Sequence, residues 1–416
     1  MKLEAKWFCR LTAICVLSNM IGISLYYSQY FINTLIHVAP VKEFSNEYPS
    51  HSTDATNWTI TLRNMTNTTG KQIKNIYFYN PQFYHVFNDW ISGTWGTSKK
   101  FEGCPVSECI VTKGKIPIEK IDAIMFKPRD MSYCPPIKPL GQVWIFVEFE
   151  TPNYYFRTKC FYDLKNKVNW TMTYRRDADF PVAHGYFRRG NKRKYSQKDL
   201  DDIFAKKNKT AVVFISHCPT VGKRLQFIKL LQSYGIQVDV FGLCGTKTLK
   251  DCGNEDRYKA SFNVSGELKP DCFGTVLSQY KFFLSLENSL CMDYTTEKSL
   301  HRIMQHPIIP VIRDGSNASI FHPPHSYIHT SNYGSVKELA QHMKMLSANK
   351  TAYLDYFQWK QHYHTEDMYK EWNSAFCRIC ERLHYPEKYR RVYRDIAAWH
   401  ISPGGKHVCH GPMDLR

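Results

Sequence analysis

Residues 280–315 read YKFFLSLENSLCMDYTTEKSLHRIMQHPIIPVIRDG. The apolar run Phe282–Leu286 predicts a short β-strand that ends at the polar turn ENS. Thr295 then supplies a capping residue for a helix predicted over Thr296–Gln305, and Ile308–Ile312 predicts a second strand. Backbone N–H groups at a helix start stabilise an anion, and a lysine lies in the same turn. This stretch therefore predicts one α/β unit with an anion-binding turn.

The preceding segment repeats this order of elements. Ala211–Ser216 is almost continuously apolar, as a strand buried in a parallel sheet requires. A helix is predicted over Gly222–Tyr234, with Gly235 at its C′ position, and Val238–Phe241 returns as a strand. Strand–helix–strand order with right-handed crossovers predicts a parallel, doubly wound sheet.

The chain of 416 residues has room for two such domains, since 43% of its residues are hydrophobic. Strand-like runs at Ile76–Tyr79, Ile121–Phe126 and Val143–Phe149 alternate with longer connections. They predict a first α/β domain ahead of the one described above. Downstream, Ser335 and Glu338 have capping-box spacing and predict a helix that continues through Leu346.

The chain is basic, with a formal net charge of +18. A run of cations between Arg188 and Lys194 is compatible with nucleic-acid binding, but such a run is more often a solvated loop. Positive potential serves a phosphorylated substrate, an anionic membrane or acidic glycans equally well. Nucleic acid is therefore the less favoured partner.

The N-terminus predicts a membrane anchor. No Asp, Glu, Lys or Arg occurs over Leu11–Val41, and Leu11–Tyr27 is apolar enough to span a bilayer. Lys2, Lys6 and Arg10 precede it and favour a cytosolic tail with the rest of the chain in the lumen. A cleaved signal peptide is the alternative, but no small-x-small site follows the apolar run directly.

Sequons and cysteines indicate the secretory pathway. Eight N-x-S/T sequons follow the apolar segment, at Asn57, Asn64, Asn67, Asn169, Asn208, Asn263, Asn317 and Asn349. Of 14 cysteines, Cys9 and Cys15 lie in or beside the predicted anchor, so twelve remain for an oxidising lumen, where disulfides are expected. The Cys377-x-x-Cys380 motif could instead be half of a zinc site, but no second C-x-x-C exists.

Three segments together resemble the α1,3-fucosyltransferases of glycosyltransferase family 10. Residues 280–298 are similar to that family's donor motif YKFxLxFENSxxxDYxTEK, and residues 143–153 to its W-x-x-F-x-x-E-S-P-N segment. Residues 169–179 are similar to N-x-T-x-S-Y-R-x-D-S-D. The resemblance implies a GT-B fold, with two Rossmann-like α/β domains facing a cleft. It also implies an inverting transfer of L-fucose from GDP-β-L-fucose to a GlcNAc-containing acceptor in the Golgi.

The resemblance and the residues together divide the chain. We expect a cytosolic tail over 1–10, a transmembrane signal anchor over 11–29 and a stem over 30–72. An acceptor-side domain follows over 73–205 and a GDP-fucose-binding domain over 206–375, and residues 376–416 are expected to return to the first domain. The family pattern also implies that Cys104, Cys109, Cys377 and Cys380 cross-link the two ends, in a pairing that the sequence leaves open.

The resemblance implies roles for individual residues. Lys298 and Arg224 would neutralise the departing diphosphate, Glu297 would bind ribose or sugar hydroxyls, and Asn288 and Tyr294 would contact the donor. Weaker donor candidates complete this set: Ser216, Tyr280 and Tyr174.

Two carboxylates are candidates for the base that activates the acceptor hydroxyl. Glu148 and Glu150 lie two apart, so a strand would project both from one face. The match to E-S-P-N favours Glu150, and apolar surroundings would raise the pKa of either group toward that of a general base.

Three features leave alternatives open. Asp177-Ala178-Asp179 is a D-x-D, which in another glycosyltransferase class holds Mn²⁺. The resemblance implies no required cofactor, with a divalent cation at most stimulatory. Arg175 could help to bind the donor or order the cleft, or equally form a structural ion pair with Asp177 or Asp179. His217 stands where the family usually has Asn, which keeps a non-catalytic glycan-binding relative as a second hypothesis. Neither hypothesis identifies the acceptor as core GlcNAc, LacNAc or LacdiNAc.

Overall fold

A computed structural model describes residues 72–79, 90–113, 116–131, 137–154, 159–190, 195–246, 272–300, 306–366 and 368–415. The predicted anchor, and the predicted stem up to residue 71, lie outside these residues. Within them, no helix is long and apolar enough to cross a membrane. The described part has an α/β fold built on two parallel sheets.

The first sheet has six strands in the order β2–β1–β3–β4–β5–β6, and all neighbours are parallel. Its strands are β1 Lys74–Phe78, β2 Cys109–Thr112, β3 Ala123–Phe126, β4 Val143–Glu148, β5 Trp170–Thr173 and β6 Phe180–Pro181. The three strands predicted for this domain are confirmed. Every residue of β3, β4 and β5 is buried, as expected for strands covered on both faces.

The second sheet has the order β13–β12–β10–β8–β9, again with parallel neighbours. Its strands are β8 Lys209–Phe214, β9 Val238–Phe241, β10 Tyr280–Leu286, β12 Ile309–Arg313 and β13 Ile328–His329. The predicted doubly wound parallel sheet is therefore confirmed. Two short antiparallel pairs lie outside both sheets: β7 Tyr186–Arg189 with β14 Tyr363–Glu366, and β11 Leu290–Cys291 with β15 Cys409–His410.

Ten α-helices lie within the described residues. They are α1 Lys159–Tyr162, α2 Gln197–Ala205, α3 Arg224–Ser233, α4 Cys272–Ser278, α5 Glu297–Leu300, α6 Ala318–Phe321, α7 Val336–Ala348, α8 Lys350–Asp355, α9 Met368–His384 and α10 Ile396–Ile401. The Ser335 side chain caps α7 by accepting from the Glu338 N–H, as predicted. The Glu338 carboxylate accepts from the Gly334 N–H rather than from Ser335, so only half of the predicted capping box forms.

The helices correct two expected domain boundaries. Helix α2 was assigned to the first domain, yet Leu200, Ile203 and Phe204 pack into the core of the second sheet. At the other end, α9 and α10 pack on the first sheet as expected, but the chain already returns there at Met368. The last residues then leave the first sheet, since β15 pairs with β11 beside the second.

Disulfides tie distant parts of the chain together. Cys104 bonds Cys377 and Cys109 bonds Cys380, which confirms the predicted cross-link and fixes its pairing. A cluster of Cys109, Cys380 and His384 has ligand-like spacing, but both sulfurs are in a disulfide and so are not thiolate ligands. Two further bridges join loops around the second sheet, Cys218–Cys244 and Cys291–Cys409.

Four sequons fall on described residues and differ in their surroundings. Asn208, Asn317 and Asn349 are exposed. Asn169 is half-buried; its Oδ1 accepts from the Trp144 N–H at 2.9 Å and its Nδ2 donates to the Arg391 carbonyl at 2.8 Å. A glycan on Asn169 would therefore have to leave Nδ2 beside the Arg391 carbonyl, and this sequon is more enclosed than the other three. The other four, Asn57, Asn64, Asn67 and Asn263, lie outside the described residues.

Candidate active site

The strand order of the second sheet identifies a crevice. When its five strands are numbered in chain order, they lie side by side in the order 5-4-3-1-2. From β8 the chain runs first to β9 on one side of that strand and then to β10 on its other side, so the strand order reverses at the β8–β10 junction. In open α/β sheets, ligands bind outside the carboxyl ends of the strands at such a switch point. The residues that follow the two strands here are Ser216 after β8 and Glu287-Asn288 after β10.

Arg224 lies at this crevice and is buried. It is the first residue of α3, after Lys223 in the left-handed conformation (φ 51°). Its guanidinium donates to the Leu286 carbonyl at 3.3 Å and to the His217 carbonyl at 2.7 Å. Arg224 is therefore not a solvated helix residue, because its side chain spans the ends of β8 and β10.

Glu287 organises the turn that follows β10, and sequence analysis missed it. Its Oε1 accepts from the Thr296 N–H at 3.0 Å and the Thr296 hydroxyl at 2.7 Å, and its Oε2 pairs with Lys298 Nζ at 3.0 Å. Glu287 thus accepts the hydrogen bond of the Thr296 N–H at the helix start, a group that the sequence predicts to be available to an anionic ligand. A carboxylate directly after a buried strand, nine residues ahead of a Thr-Glu-Lys helix start, is the sequence signal that could have revealed this.

Lys298 remains charged in this environment. Burial acts to lower the pKa of its ammonium, but the carboxylates of Glu287 and Glu297 outweigh burial and raise that pKa above its ordinary value. Its Nζ lies 3.6 Å from Glu297 Oε1, and about a quarter of the Lys298 side chain is exposed. Because Arg224 is held by Leu286 and Lys298 by Glu287, two consecutive residues fix both predicted cations at one strand end.

Asn288 presents a polar group that the protein leaves unsatisfied. Its carbonyl accepts from the Gly222 N–H at 2.8 Å, but its buried Oδ1 has no hydrogen-bond partner within the described part of the chain. Gly222 allows this close approach, since a Cβ there would lie 3.0 Å from the carbonyl oxygens of both Asn288 and Glu287. An unsatisfied buried amide oxygen beside two cations is what a donor-contacting Asn requires.

The two weaker donor candidates on this sheet, Ser216 and Tyr280, lie at opposite ends of its strands. Ser216 is exposed at the carboxyl end of β8, within the crevice. Tyr280 begins β10, about 20 Å along the strand from Leu286, and its hydroxyl binds Asp239 instead. The prediction of Tyr280 as a donor contact is therefore wrong, because Tyr280 lies at the opposite end of β10 from the predicted donor site.

The donor motif meets the first sheet through one hydrogen bond. The hydroxyl of Tyr294 donates to Glu150 Oε2 at 2.9 Å, and Tyr294 itself is almost fully buried. Burial, and next the Glu150 carboxylate, hold the pKa of this phenol well above its ordinary value, so it stays a donor. The favoured base is therefore oriented by the donor motif.

Glu148 has a different role from the one expected. Strand β4 ends at Glu148, so the two carboxylates do not share a strand face and that prediction is wrong. Glu148 is fully buried, and its Oε1 accepts from the N–H groups of Phe149 and Glu150 at 2.9 and 2.8 Å. Burial raises its pKa to about 8, which keeps it neutral and inaccessible while it shapes the turn that carries Glu150.

Tyr174 and the D-x-D segment make structural contacts next to the site. The Tyr174 ring packs edge-on against Tyr294, with centroids 5.0 Å apart, and is buried, so its donor contact stays a prediction. Arg175 pairs with Asp177, with Nε to Oδ1 at 2.9 Å, which resolves the alternatives left open for that arginine. Asp179 accepts from the Thr171 N–H and the Tyr393 hydroxyl, both at 2.9 Å.

The C-terminal segment packs against the donor motif. Strand β15 pairs with β11, and the Cys291–Cys409 disulfide packs with the rings of Tyr174 and Tyr294. Asp414 forms a bidentate pair with the buried Arg313 at the end of β12. This arrangement was not predictable from the sequence, since the pairing strands are two residues long and far apart in the chain.

Comparison with known proteins finds matching family models and relatives. A family model described as "Glycosyltransferase family 10 (fucosyltransferase) C-term" matches residues 204–399, and one described as "Fucosyltransferase, N-terminal" matches residues 71–185. Alpha-(1,3)-fucosyltransferase C of Drosophila melanogaster is 32% identical over 324 residues, covering 71% of this chain and 70% of its own. The 3-galactosyl-N-acetylglucosaminide 4-alpha-L-fucosyltransferase FUT3 of Bos taurus is 31% identical over 303 residues, covering 70% and 74%. A solved α1,3-fucosyltransferase with GDP-fucose aligns with a TM-score of 0.45 at 17% identity, over 79% of this chain and 94% of that one.

Proposed function

Because this chain belongs to the fucosyltransferases of glycosyltransferase family 10, we propose that it moves L-fucose from GDP-β-L-fucose to the 3-hydroxyl of a GlcNAc residue in glycoprotein glycans. The acceptor class is a core GlcNAc, LacNAc or LacdiNAc unit. The observation that carries the proposal is the Tyr294–Glu150 hydrogen bond of 2.9 Å. It joins a candidate base on one sheet to the cationic donor motif of the other.

The proposed reaction is a single inverting displacement. Glu150 takes the proton of the acceptor hydroxyl while that oxygen forms a bond to the anomeric carbon of fucose. The bond from that carbon to the diphosphate oxygen breaks, and GDP leaves with the electron pair. Attack opposite the leaving group converts the β-linkage into an α-linkage.

Lys298 and Arg224 stabilise the charge that develops on the departing diphosphate. Fixed cations in a site that excludes water cost little reorganisation during the reaction. Glu287 reduces the net charge at Lys298, yet it also holds Nζ in place at 3.0 Å. We assign a further part of the positive potential to Arg224, whose guanidinium donates to the carbonyls of Leu286 and His217 at the ends of the two strands.

The proposed mechanism requires no metal. The support for this is the occupation of the D-x-D carboxylates, since Asp177 pairs with Arg175 and Asp179 with Thr171 and Tyr393. A metal held there would have to displace those partners. Two protein cations also lie where a divalent ion would otherwise neutralise the diphosphate.

We further propose a GT-B arrangement in which the two sheets face a cleft, and a single-pass type II location in the Golgi membrane. The apolar stretch Leu11–Tyr27, with cations on its N-terminal side, supports the anchor. Disulfides on both sides of the site support an oxidising lumen.

The test is transfer by the full-length protein in detergent with GDP-fucose and the three acceptor classes. Wild type is expected to release GDP and fucosylate at least one acceptor. Glu150→Gln should lower kcat by about 100-fold or more while GDP binding is retained. Glu119→Gln, at an exposed glutamate in the short 3-10 helix before β3, is the matched control. Glycan binding by wild type without transfer would instead favour the non-catalytic relative.

A further inference from the structure

Arg313 is a buried cation at the carboxyl end of β12 that has no role in the mechanism above. Only 1% of it is exposed. Its Nε and Nη2 donate to the two carboxylate oxygens of Asp414, at 2.5 and 2.7 Å. Its Nη1 donates to the Gly222 carbonyl at 2.6 Å, and its guanidinium carbon lies 4.8 Å from the centre of the Phe227 ring. Arg313 therefore joins the C-terminal segment to the loop that leads into α3.

Gly222 is held through both of its backbone polar groups. Its N–H donates to the Asn288 carbonyl at 2.8 Å, and its carbonyl is the group that accepts from Arg313. The next N–H along the chain, that of Lys223, donates to the Thr220 carbonyl at 2.9 Å. Because a peptide group is planar, these bonds fix the orientation of the unit that joins Gly222 to Lys223.

The residue that follows this unit needs such support. Lys223 has the left-handed conformation, with φ 51°, which a residue with a Cβ rarely adopts unless its surroundings enforce it. Arg224 comes next, as the first residue of α3. A shift of the peptide before Lys223 would therefore move the Arg224 guanidinium relative to the crevice between β8 and β10.

Asp414 compensates the buried charge of Arg313. A buried cation without a paired anion is costly, whereas a bidentate carboxylate supplies both the opposite charge and two hydrogen bonds. Asp414 belongs to the short turn Met413–Leu415, and Leu415 packs against the core of the second sheet. The Asp414 side chain is 28% exposed, so a substitution there disturbs the ion pair without removing core volume.

We propose that Asp414 and Arg313 are positioning residues for the donor, and that they act through the Gly222 carbonyl to set where Arg224 meets the diphosphate. This inference rests on the proposed function, because that function assigns the diphosphate to Arg224. Neither Asp414 nor Arg313 contacts the donor itself. The affinity for the diphosphate then depends on a C-terminal turn that is distant in the chain from α3.

Two variants of the full-length protein break this link in different ways. Asp414→Asn keeps the shape of the side chain but removes the charge that compensates Arg313. Arg313→Met replaces the buried cation by an apolar side chain, so the fold no longer needs the paired anion. We expect each variant to raise the Kd for GDP, and the KM for GDP-fucose, by about threefold to tenfold. Asp355→Asn, at an exposed aspartate of α8, is the matched control.

Double variants decide whether the effect passes through Arg224. In an Arg224→Met background, Asp414→Asn should raise the Kd for GDP by less than about twofold, because the group that it positions is absent. In a Lys298→Ala background, Asp414→Asn should still cost the full factor, since Lys298 is held by Glu287 instead. Where GDP binding is too weak to titrate, initial rates at low GDP-fucose give the same comparison as kcat/KM.

Three results would overturn the assignment. Wild-type GDP affinity in both Asp414→Asn and Arg313→Met would show that the link does not reach the donor. Equal losses in the Arg224→Met and Lys298→Ala backgrounds would show that the C-terminal turn acts on the fold as a whole. A lowered melting temperature without a change in GDP affinity would assign the ion pair to stability alone. If wild type binds GDP but transfers no fucose, the proposed function fails, while GDP affinity still tests the link to Arg224.

Discussion

At the scale of single residues, the site is defined by which polar groups are buried and which remain reachable. Glu148 and Glu150 are two residues apart, yet Glu148 is fully buried with two backbone N–H partners, and Glu150 is partly exposed with Tyr294 as its partner. The same side-chain chemistry thus serves structure at one position and proposed catalysis at the other. Sequence reasoning preferred Glu150 through a motif match, and the structure supplies the physical reason.

Glu148 makes stability depend on pH. Its pKa is about 8 in the folded state against an ordinary 4.5, so its contribution is fully present below about pH 4.5 and is lost as pH rises toward 8. The loss is on the order of 5 kcal/mol. Glu148→Gln cannot ionise, so we expect it to be more stable than wild type at pH 8, with the gap closing near pH 4. Urea unfolding at pH 4, 6 and 8 measures this, and a gap that is the same at all three values would contradict it.

The hydroxyl of Tyr294 orients the proposed base. Tyr294→Phe keeps the ring packing against Tyr174 but removes the hydrogen bond to Glu150. We expect kcat to fall about threefold to tenfold with KM for GDP-fucose nearly unchanged. Tyr174→Phe is the matched control, because the buried Tyr174 hydroxyl has no hydrogen-bond partner within the described ranges. Equal kinetic losses in both variants would show that packing alone, rather than the bond, sets the rate.

At the scale of elements, the crevice follows from strand order. The junction of β8 and β10 places two loops side by side, and α3 begins there with its first side chain turned onto both strand ends. Elements with strong periodicity were predictable, because each is determined by residues close in sequence. The β11–β15 pair was not, because two residues per strand carry no period and the partners are separated by most of the second sheet.

The Cys291–Cys409 bridge keeps the C-terminal segment against the donor motif. It closes a loop with a sequence separation of 118, and it packs with Tyr174 and Tyr294. Cys409→Ser should lower the free energy of unfolding by about 2–5 kcal/mol and raise KM for GDP-fucose. Cys218→Ser breaks the shorter bridge to Cys244, with a separation of 26, and is the comparison variant. Non-reducing urea unfolding with donor kinetics makes the measurement; an unchanged KM in Cys409→Ser would show that the bridge is remote from function.

At the scale of the whole described molecule, the chain crosses between the two sheets more than once. It passes to the second sheet before α2 and returns at α9, and it ends beside the donor motif after β15. The proposed site is therefore held by covalent and ionic links from the C-terminal segment as well as by its own two sheets. The sequence predicts the return of the C-terminal segment to the first domain, but not that residues 409–410 then pair with β11 beside the second sheet.

Charge neutralisation by protein cations predicts the response to chelation. With Lys298 and Arg224 at the end of β10, transfer should keep more than about half of its rate in excess EDTA. Lys298→Ala should lower kcat/KM by about 100-fold or more, with or without Mn²⁺. Initial rates of GDP release across a Mn²⁺ titration test both statements. Complete loss in EDTA, restored by Mn²⁺, would return the metal role to Asp177 and Asp179.

The sequence alone determined most of the strands of the two sheets, the helices after β8 and before β12, the family motifs and the preference for Glu150, because each depends on residues that are neighbours in the chain. Only the tertiary structure decided the partner of each cysteine, the burial of Glu148, the removal of Tyr280 from the site and the organising role of Glu287. These depend on which distant segments meet and on how much water they exclude. The local sequence pattern predicts neither which distant segments meet nor how much water they exclude, because both depend on the folded chain.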